Sequence, residues 1–214
     1  VRSRGLGDVY KRQVNARNRS LSLAREHGCE FVVIAEDDFI LPNPEFLKIM
    51  ANYMRLDKTI GAVGGRVIPL YRRRVDPDFY LNTPVQIADA LSRLTGYVFL
   101  DIRNGPRYAE FLTSFMMIRG DIITSIAYDK AYDTPTGFRE ESDLQVQIKR
   151  RGYRLLLDPR VFVYHLTTEE GGNRTGLSMQ ERMYWKVRNH TIFVLKWNSY
   201  VIKRIWYLFT ASLI

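Results

Sequence analysis

Cysteine is nearly absent from this chain: Cys29 is the single one in 214 residues. That excludes an internal disulfide framework and a multi-cysteine zinc site, and it fits a reducing compartment, with the cytosol as the default. An apolar leader is missing too. The first thirteen residues, VRSRGLGDVYKRQ, are basic, carry no hydrophobic core segment and join no periodic pattern. They resemble translated linker sequence, so residues 1–13 are read as a non-native stretch. Acid is outnumbered, with 23 Asp and Glu against 32 Lys and Arg, for a formal charge of +9. Such a balance calls for an anionic partner, whether nucleotide phosphate, nucleic acid or acidic lipid. No aromatic-basic motif or fold signature of a nucleic-acid module is present, so nucleic acid is not the expected partner, and a basic nucleic-acid-binding module stays only as an alternative reading of the charge. What the chain does hold is 46% apolar and 13% aromatic residues, enough to bury a real core in one domain.

The scarce acids are concentrated. Phe31-Val32-Val33-Ile34-Ala35 reads as a short apolar strand and runs straight into Glu36-Asp37-Asp38. Carboxylates at this density repel unless a cation, a basic neighbour or bulk water screens them. In open α/β sheets the ligand crevice lies at the carboxyl ends of strands, and oxygen clusters there suit hard divalent cations such as Mg2+ or Mn2+. The competing reading is a solvated acidic turn before the next helix.

Around this turn the chain alternates helical and strand patterns, which argues for α/β architecture with a largely parallel or mixed sheet. Arg17 to His27 reads as a helix closed by Gly28. Asn43-Pro44-Glu45 opens a helix to about Leu56, with a cap, a first-turn proline and an acid at the positive end. Ile60 to Leu70, with Gly61, Gly64 and Gly65, reads as a strand whose backbone approaches something closely. Tyr71 to Tyr108 is irregular and reads as an insertion over the sheet edge; its arginines, Arg72 to Arg74, fit a solvated loop better than a phosphate clamp. Phe111 to Arg119 is β-rich, and Asp121 is placed to cap a short helix over Ile122 to Ile126.

A second acidic group opens the segment Arg139-Glu140-Glu141-Ser142-Asp143-Leu144, which continues as a helix to Gly152. Leu144 and Ile148 define its buried face, so Glu140 and Glu141 begin on the inward side, while Asp143 points to the flank. Such acids either cap the helix or, when partly desolvated, serve as a general base. Tyr153 to Leu157 reads as a strand, Asp158-Pro159 as a turn, and Val161-Phe162-Val163-Tyr164-His165 as a strand ending on histidine. His165 shares with Glu36 to Asp38 the property of ending an apolar strand.

The succession of the "ARN" helix, "AEDDFILPNP", "GAVGG", "FREESDLQVQIKRRGYRLLLDP" and "VYHL" resembles family 2 glycosyltransferases of the GT-A fold, over about Val14 to Leu195. The resemblance implies a mixed, mostly parallel sheet flanked by helices. It also implies inverting transfer of a sugar from a nucleotide-diphosphate donor to a glycan or lipid-linked acceptor hydroxyl. Glu36, Asp37 and Asp38 match the DxD motif: Asp38 takes the final, metal-binding position, and Glu36 stands where aspartate is usual. "EESDL" matches the family's "EDxDL", so Glu141 inherits the general base, with Glu140 and Asp143 as its neighbours in that role. His165 matches a third metal ligand. Arg17 and Arg188 match basic positions near the donor, although either fits surface charge as well. The loop from Thr167 to Gly176 reads as a lid or as a plain connection, and the Thr113-Ser114 turn as a shaper of acceptor choice.

Family members begin with a strand, a nucleotide-facing loop and a base-reading aspartate, which nothing before Val14 supplies. The expectation is therefore a partial domain over residues 14–198, lacking the first nucleotide-binding strands and binding nucleotide sugar weakly or not at all alone. Residues 199–214 form a separate C-terminal segment in which Lys203-Arg204 precede the apolar run Ile205 to Ile214. Ten residues are too few to span a bilayer, which takes roughly 20. The run suits an anionic membrane surface, placing the protein at the inner face of the cell membrane, or else a helix packed on the domain. A nucleotidyltransferase is the alternative enzyme, since it too gathers carboxylates at strand ends.

Overall fold

The computed structural model describes residues 13–70, 106–166 and 177–211. The leading stretch before residue 13, the arginine-rich insertion over 71–105, the lid loop over 167–176 and the last three residues lie outside the described residues. Helix α1 spans Gln13–Glu26, starting earlier than expected and released by Gly28 at φ +62°. Strands β1 (Phe31–Ile34) and β2 (Phe39–Ile40) flank the acidic turn. Helix α2 covers Glu45–Leu56, and the Asn43 side chain accepts the Glu45 N–H at 2.9 Å, as the capping pattern requires. Then come β3 (Ile60–Leu70), β4 (Arg107–Tyr108), β5 (Met116–Arg119), and single 3-10 turns at Ile122–Thr124 and Lys130–Tyr132. Helix α3 (Glu140–Arg150), strand β6 (Arg154–Leu166), and helices α4 (Met179–Trp197) and α5 (Val201–Ala211) complete the described order.

The strands form one mixed sheet in the order β1-β5-β3-β6-β2, with β4 also on β6. The balance within it differs from the mostly parallel expectation. Among the described residues only β3 and β6 run parallel, while β1–β5, β3–β5, β2–β6 and β4–β6 are antiparallel. A parallel pair needs a long crossover, usually helical. The path from β3 to β6 contains α3, whereas the short strands run against their neighbours.

Side chains alternate across this sheet, so each strand feeds two cores. Ala62, Met116, Ile118, Leu155 and Leu157 point toward α1 and α3, where Leu21, Leu144 and Ile148 close the layer. Val63, Met117, Leu156, Val161 and Val163 point the other way, onto Met50 and Met54 of α2. Arg119, 7% exposed, locks that second layer by donating to the carbonyls of Met54, Asp57 and Ile60. These include the end of α2, where unpaired carbonyls favour a cation.

The Asp158-Pro159 turn is also corrected. Strand β6 runs unbroken through it, as a bulge: Leu157 pairs with Gly64 and Phe162 with Arg66, leaving Asp158 to Val161 opposite Gly65. Proline is tolerated at a bulge, where the ladder is already interrupted. Asp158 is fully buried and satisfied by the Arg160 backbone and guanidinium and by Tyr53. A Cβ on Gly65 would lie 2.6 Å from the Val161 carbonyl oxygen, so only glycine lets β3 pass the bulge. A third, smaller cluster of Phe111, Tyr132, Phe193, Val194 and Tyr207 seats α4 and α5 on the rest.

Candidate active site

The first corner of the site is made by strand register. Phe39 of β2 pairs with His165 of β6, and the Leu166 N–H donates to the Asp38 carbonyl at 2.9 Å. This pairing sets the residue just before β2 beside the end of β6, and His165 Nε2 donates to Asp38 Oδ2 at 3.0 Å. The Phe39 ring meets the imidazole edge-on at 5.3 Å and fixes its plane. One ligand atom each from Glu36, Asp38 and His165 lies within 4.8 Å of the others. Asp38 Oδ1 is buried and has no hydrogen-bond partner among the described residues. An unspent carboxylate oxygen beside a second carboxylate and an imidazole fits a divalent cation such as Mg2+ or Mn2+.

The second corner is the start of α3. Gly137 sits at φ +56°, and a Cβ there would come 2.8 Å from Glu140 Oε1. Arg139, the residue before the helix, holds φ 76°, a left-handed conformation costing a non-glycine residue about 1–2 kcal/mol. Its side chain carries what holds that backbone. The guanidinium lies over Phe138 and Phe193, at 5.2 and 4.9 Å, and donates to His190 Nδ1 at 2.9 Å. Burial, and then the Arg139 charge, push His190 down to about 4, so it is neutral and its Nε2 donates to the Tyr207 carbonyl at 3.0 Å.

That backbone turn sends two glutamates toward one cation. Arg17 of α1 meets Glu141 at 2.6 Å and Glu140 at 3.0 Å, with its guanidinium over the Tyr128 ring at 5.2 Å. Burial opposes the Arg17 charge, yet the two carboxylates outweigh it and hold the group firmly protonated. One guanidinium cannot neutralise two carboxylates. Glu140 is 2% exposed, its Oε2 is buried without a partner among the described residues, and burial followed by the Glu141 charge pushes it up to about 9. Glu140 therefore keeps its proton at neutral pH and leaves Arg17 to Glu141.

Glu36 joins the two corners. Burial and then the Glu141 charge raise its carboxyl above the usual range, while a hydrogen bond from Ser114 and the charges of Arg17 and His165 act in the opposite sense. The structure thus brings Glu36, Asp38, His165, Arg17, Glu140 and Glu141 into one electrostatic neighbourhood.

The other sequence candidates are elsewhere. Asp37 is exposed on the turn. Arg188 donates to the Ala131 carbonyl at 2.9 Å and stacks on Trp185. Asp143 does not point to the flank: it is fully buried, accepts from Trp197 Nε1 at 2.6 Å and Gln147 Nε2 at 2.9 Å, and pairs with Lys196 at 2.8 Å. It ties α3 to the end of α4, because the helix turns that flank under Trp197. Thr113 is buried and donates to the Gly65 carbonyl at 2.7 Å.

Solved structures offer likenesses to this chain at low identity. The chain is similar to the mannosyltransferase PcManGT from Pyrobaculum calidifontis, solved in complex with GDP-Man and Mn2+, at 18% identity and a TM-score of 0.47. The match covers 92% of this chain and 52% of that one, so the chain spans about half the length of the structure it matches. No protein-family model matches the chain, and no curated relative does.

Sequence reasoning passed over Tyr128 and Asp133 and gave Ser114 only a part in acceptor choice. Ser114 bonds Glu36, Tyr128 lies under Arg17, and the Asp133 charge helps to raise Glu140. They sit in irregular segments, where periodicity gives no signal. The nearest clue is Gly137, a turn glycine shortly before an acidic helix start.

Proposed function

We propose that this chain is the catalytic part of an inverting glycosyltransferase of the family 2, GT-A kind, moving a sugar from a nucleotide-diphosphate donor to an acceptor hydroxyl. One observation carries the reading: a three-donor cation corner, Glu36, Asp38 and His165, shares its electrostatics with a glutamate pair at a helix start. Displacement at an anomeric carbon needs both parts, positive charge against the departing diphosphate and a base for the incoming hydroxyl.

Asp38, Glu36 and His165 would hold Mg2+ or Mn2+. When bound, such a cation supplies positive charge against the leaving diphosphate. Glu141, partly exposed and fixed by Arg17, is the base: its carboxylate takes the proton of the acceptor hydroxyl. The hydroxyl oxygen then bonds to the anomeric carbon, and the bond from that carbon to the diphosphate oxygen breaks. Glu140 stays protonated behind it, so the pair does not carry two adjacent negative charges. Arg17 positions the base.

Incubation of the protein with nucleotide sugars and Mn2+ or Mg2+, followed by analysis of the released phosphates, tests the reading. Free nucleoside diphosphate is expected. Release of pyrophosphate would instead mark nucleotidyl transfer and overturn it.

A further inference from the structure

We propose that Asn189 and His190 of α4 are positioning residues for the general base: together they set the left-handed turn from which Glu140 and Glu141 leave. The proposal rests on Glu141 as that base and gives a task to two residues of another helix. The angle φ relates a residue to the peptide plane before it, so the value of 76° at Arg139 is set when that plane and the residue's side chain are both held. Helix α4 holds both. Asn189 Nδ2 donates to the Phe138 carbonyl at 3.0 Å, which pins the peptide plane before Arg139. His190 Nδ1 accepts from Arg139 Nη2 at 2.9 Å and from its Nε at 3.2 Å, which pins the side chain.

The two grips are themselves held. Asn189 Nδ2 also donates to Thr134 Oγ1 at 2.9 Å, and its Oδ1 accepts from Arg188 at 2.9 Å. Arginine has only donors to offer, so His190 Nδ1 is the acceptor and its hydrogen sits on Nε2, which donates to the Tyr207 carbonyl of α5 at 3.0 Å. One turn further along α4, Phe193 lies against the Arg139 guanidinium at 4.9 Å. Two turns beyond His190, Lys196 and Trp197 hold Asp143 at 2.8 and 2.6 Å. The Asp143 N–H in turn donates to the Arg139 carbonyl at 2.8 Å. One face of α4 therefore grips the residue before α3 and the residue that closes its first turn, and Glu140 and Glu141 lie between.

Packing alone does not call for this arrangement. Asn189 and His190 are 0% and 4% exposed, and burying an amide and an imidazole costs free energy that apolar side chains at the same positions would avoid. What they gain in exchange is a fixed direction for the start of α3, which delivers Glu141 to Arg17 at 2.6 Å. A base misplaced by about 1 Å costs roughly a hundredfold in rate.

Two substitutions of one residue separate positioning from packing. Asparagine presents its amide oxygen where His190 Nδ1 stands, and glutamine presents its amide nitrogen where Nε2 stands. His190→Asn therefore keeps the bond to Arg139 and gives up the one to Tyr207, and His190→Gln does the reverse. Turnover with a nucleotide sugar and Mn2+ should fall about 10–100-fold in His190→Gln, with nucleotide Kd within about twofold, and by less than about threefold in His190→Asn. Arg139→Gly relieves the left-handed residue of its strain but removes its anchor, and should lose as much turnover as His190→Gln. The guanidinium N–H resonances of Arg17, assigned by their loss in Arg17→Lys, report the placement of Glu141 without any turnover. They should move toward those of an exposed arginine in His190→Gln and Arg139→Gly and stay in place in His190→Asn. The proposal is overturned if the two His190 variants give the same Arg17 spectrum, or if Arg139→Gly keeps the wild-type resonances and rate. Absence of turnover in the wild type would instead overturn the transfer reading, and the Arg17 resonances would still decide whether α4 places Glu141.

Discussion

The two acidic corners of this molecule hold the same kind of side chain and solve the charge problem in opposite ways. At the strand ends, Asp38 is 41% exposed, has the His165 imidazole beside it, and keeps one oxygen without a hydrogen-bond partner among the described residues. At the start of α3, Glu140 is 2% exposed and shares a resident guanidinium with Glu141. On the function proposed above, the first corner would import its countercharge; the second carries its own and sheds the excess by holding a proton on Glu140. Carboxylate density alone therefore does not mark a metal site. The metal reading rests instead on the Asp38 carboxylate oxygen, which has no hydrogen-bond partner among the described residues.

The largest break in this contrast should come from Glu141→Gln. The amide keeps the shape and a contact for Arg17 but cannot take a proton, so turnover should fall by about 10²–10⁴-fold while nucleotide affinity stays within about twofold. Steady-state rates read alongside nucleotide titration give both numbers. Near-normal turnover would show that the base lies elsewhere. Next in size is Asp38→Asn, which removes charge from the strand-end corner. Mn2+ affinity, measured by calorimetry on the 214-residue chain, should drop by more than about tenfold, or ~1.4 kcal/mol. Asp37→Asn, one residue away and exposed, should shift it by less than about twofold. Equal losses in the two variants would mean that the turn binds cations diffusely and that the unspent Asp38 oxygen has no special role.

That one-residue discrimination shows where sequence reading reaches and where it stops. The strand running into Glu36, the full extent of β3 and the helix carrying Glu140 and Glu141 are local, written in apolar runs, glycines and caps, and the structure has them at or near the expected residues. The pairing of β2 with β6 that sets Asp38 against His165 joins residues 127 apart, and local pattern does not encode it. The resemblance in motif order implies only that His165 joins the acidic turn as a metal ligand, not this strand pairing. Asp158-Pro159 reads as a turn because both residues favour turns, yet tertiary pairing with β3 carries the strand through it as a bulge. Asp143 reads as a flank residue by helical angle, and only the later arrival of Trp197 and Lys196 from α4 buries it. The same gap hides the orientation of α5: its apolar run is evident in sequence, but which side Tyr207 anchors is decided by His190 and Phe193.

The smallest effect sharpens the contrast from the protected side. Glu140 is raised from the ordinary glutamate value near 4.5 to about 9, by burial first and the Glu141 charge second. A raised folded value means that the unfolded chain gives up this proton near pH 4.5 while the folded protein retains it. Its contribution to stability is therefore fully present below about pH 4.5 and is lost progressively as pH rises toward 9. Glu140→Gln fixes the side chain in the neutral form. The variant should match the wild type near pH 4.5 and become the more stable of the two by ~1 kcal/mol or more at pH 8. Paired thermal melts of both proteins across that range check the sign. A gap that stays flat with pH would place an ionised carboxylate at Glu140, and the second corner would then need an imported cation as much as the first.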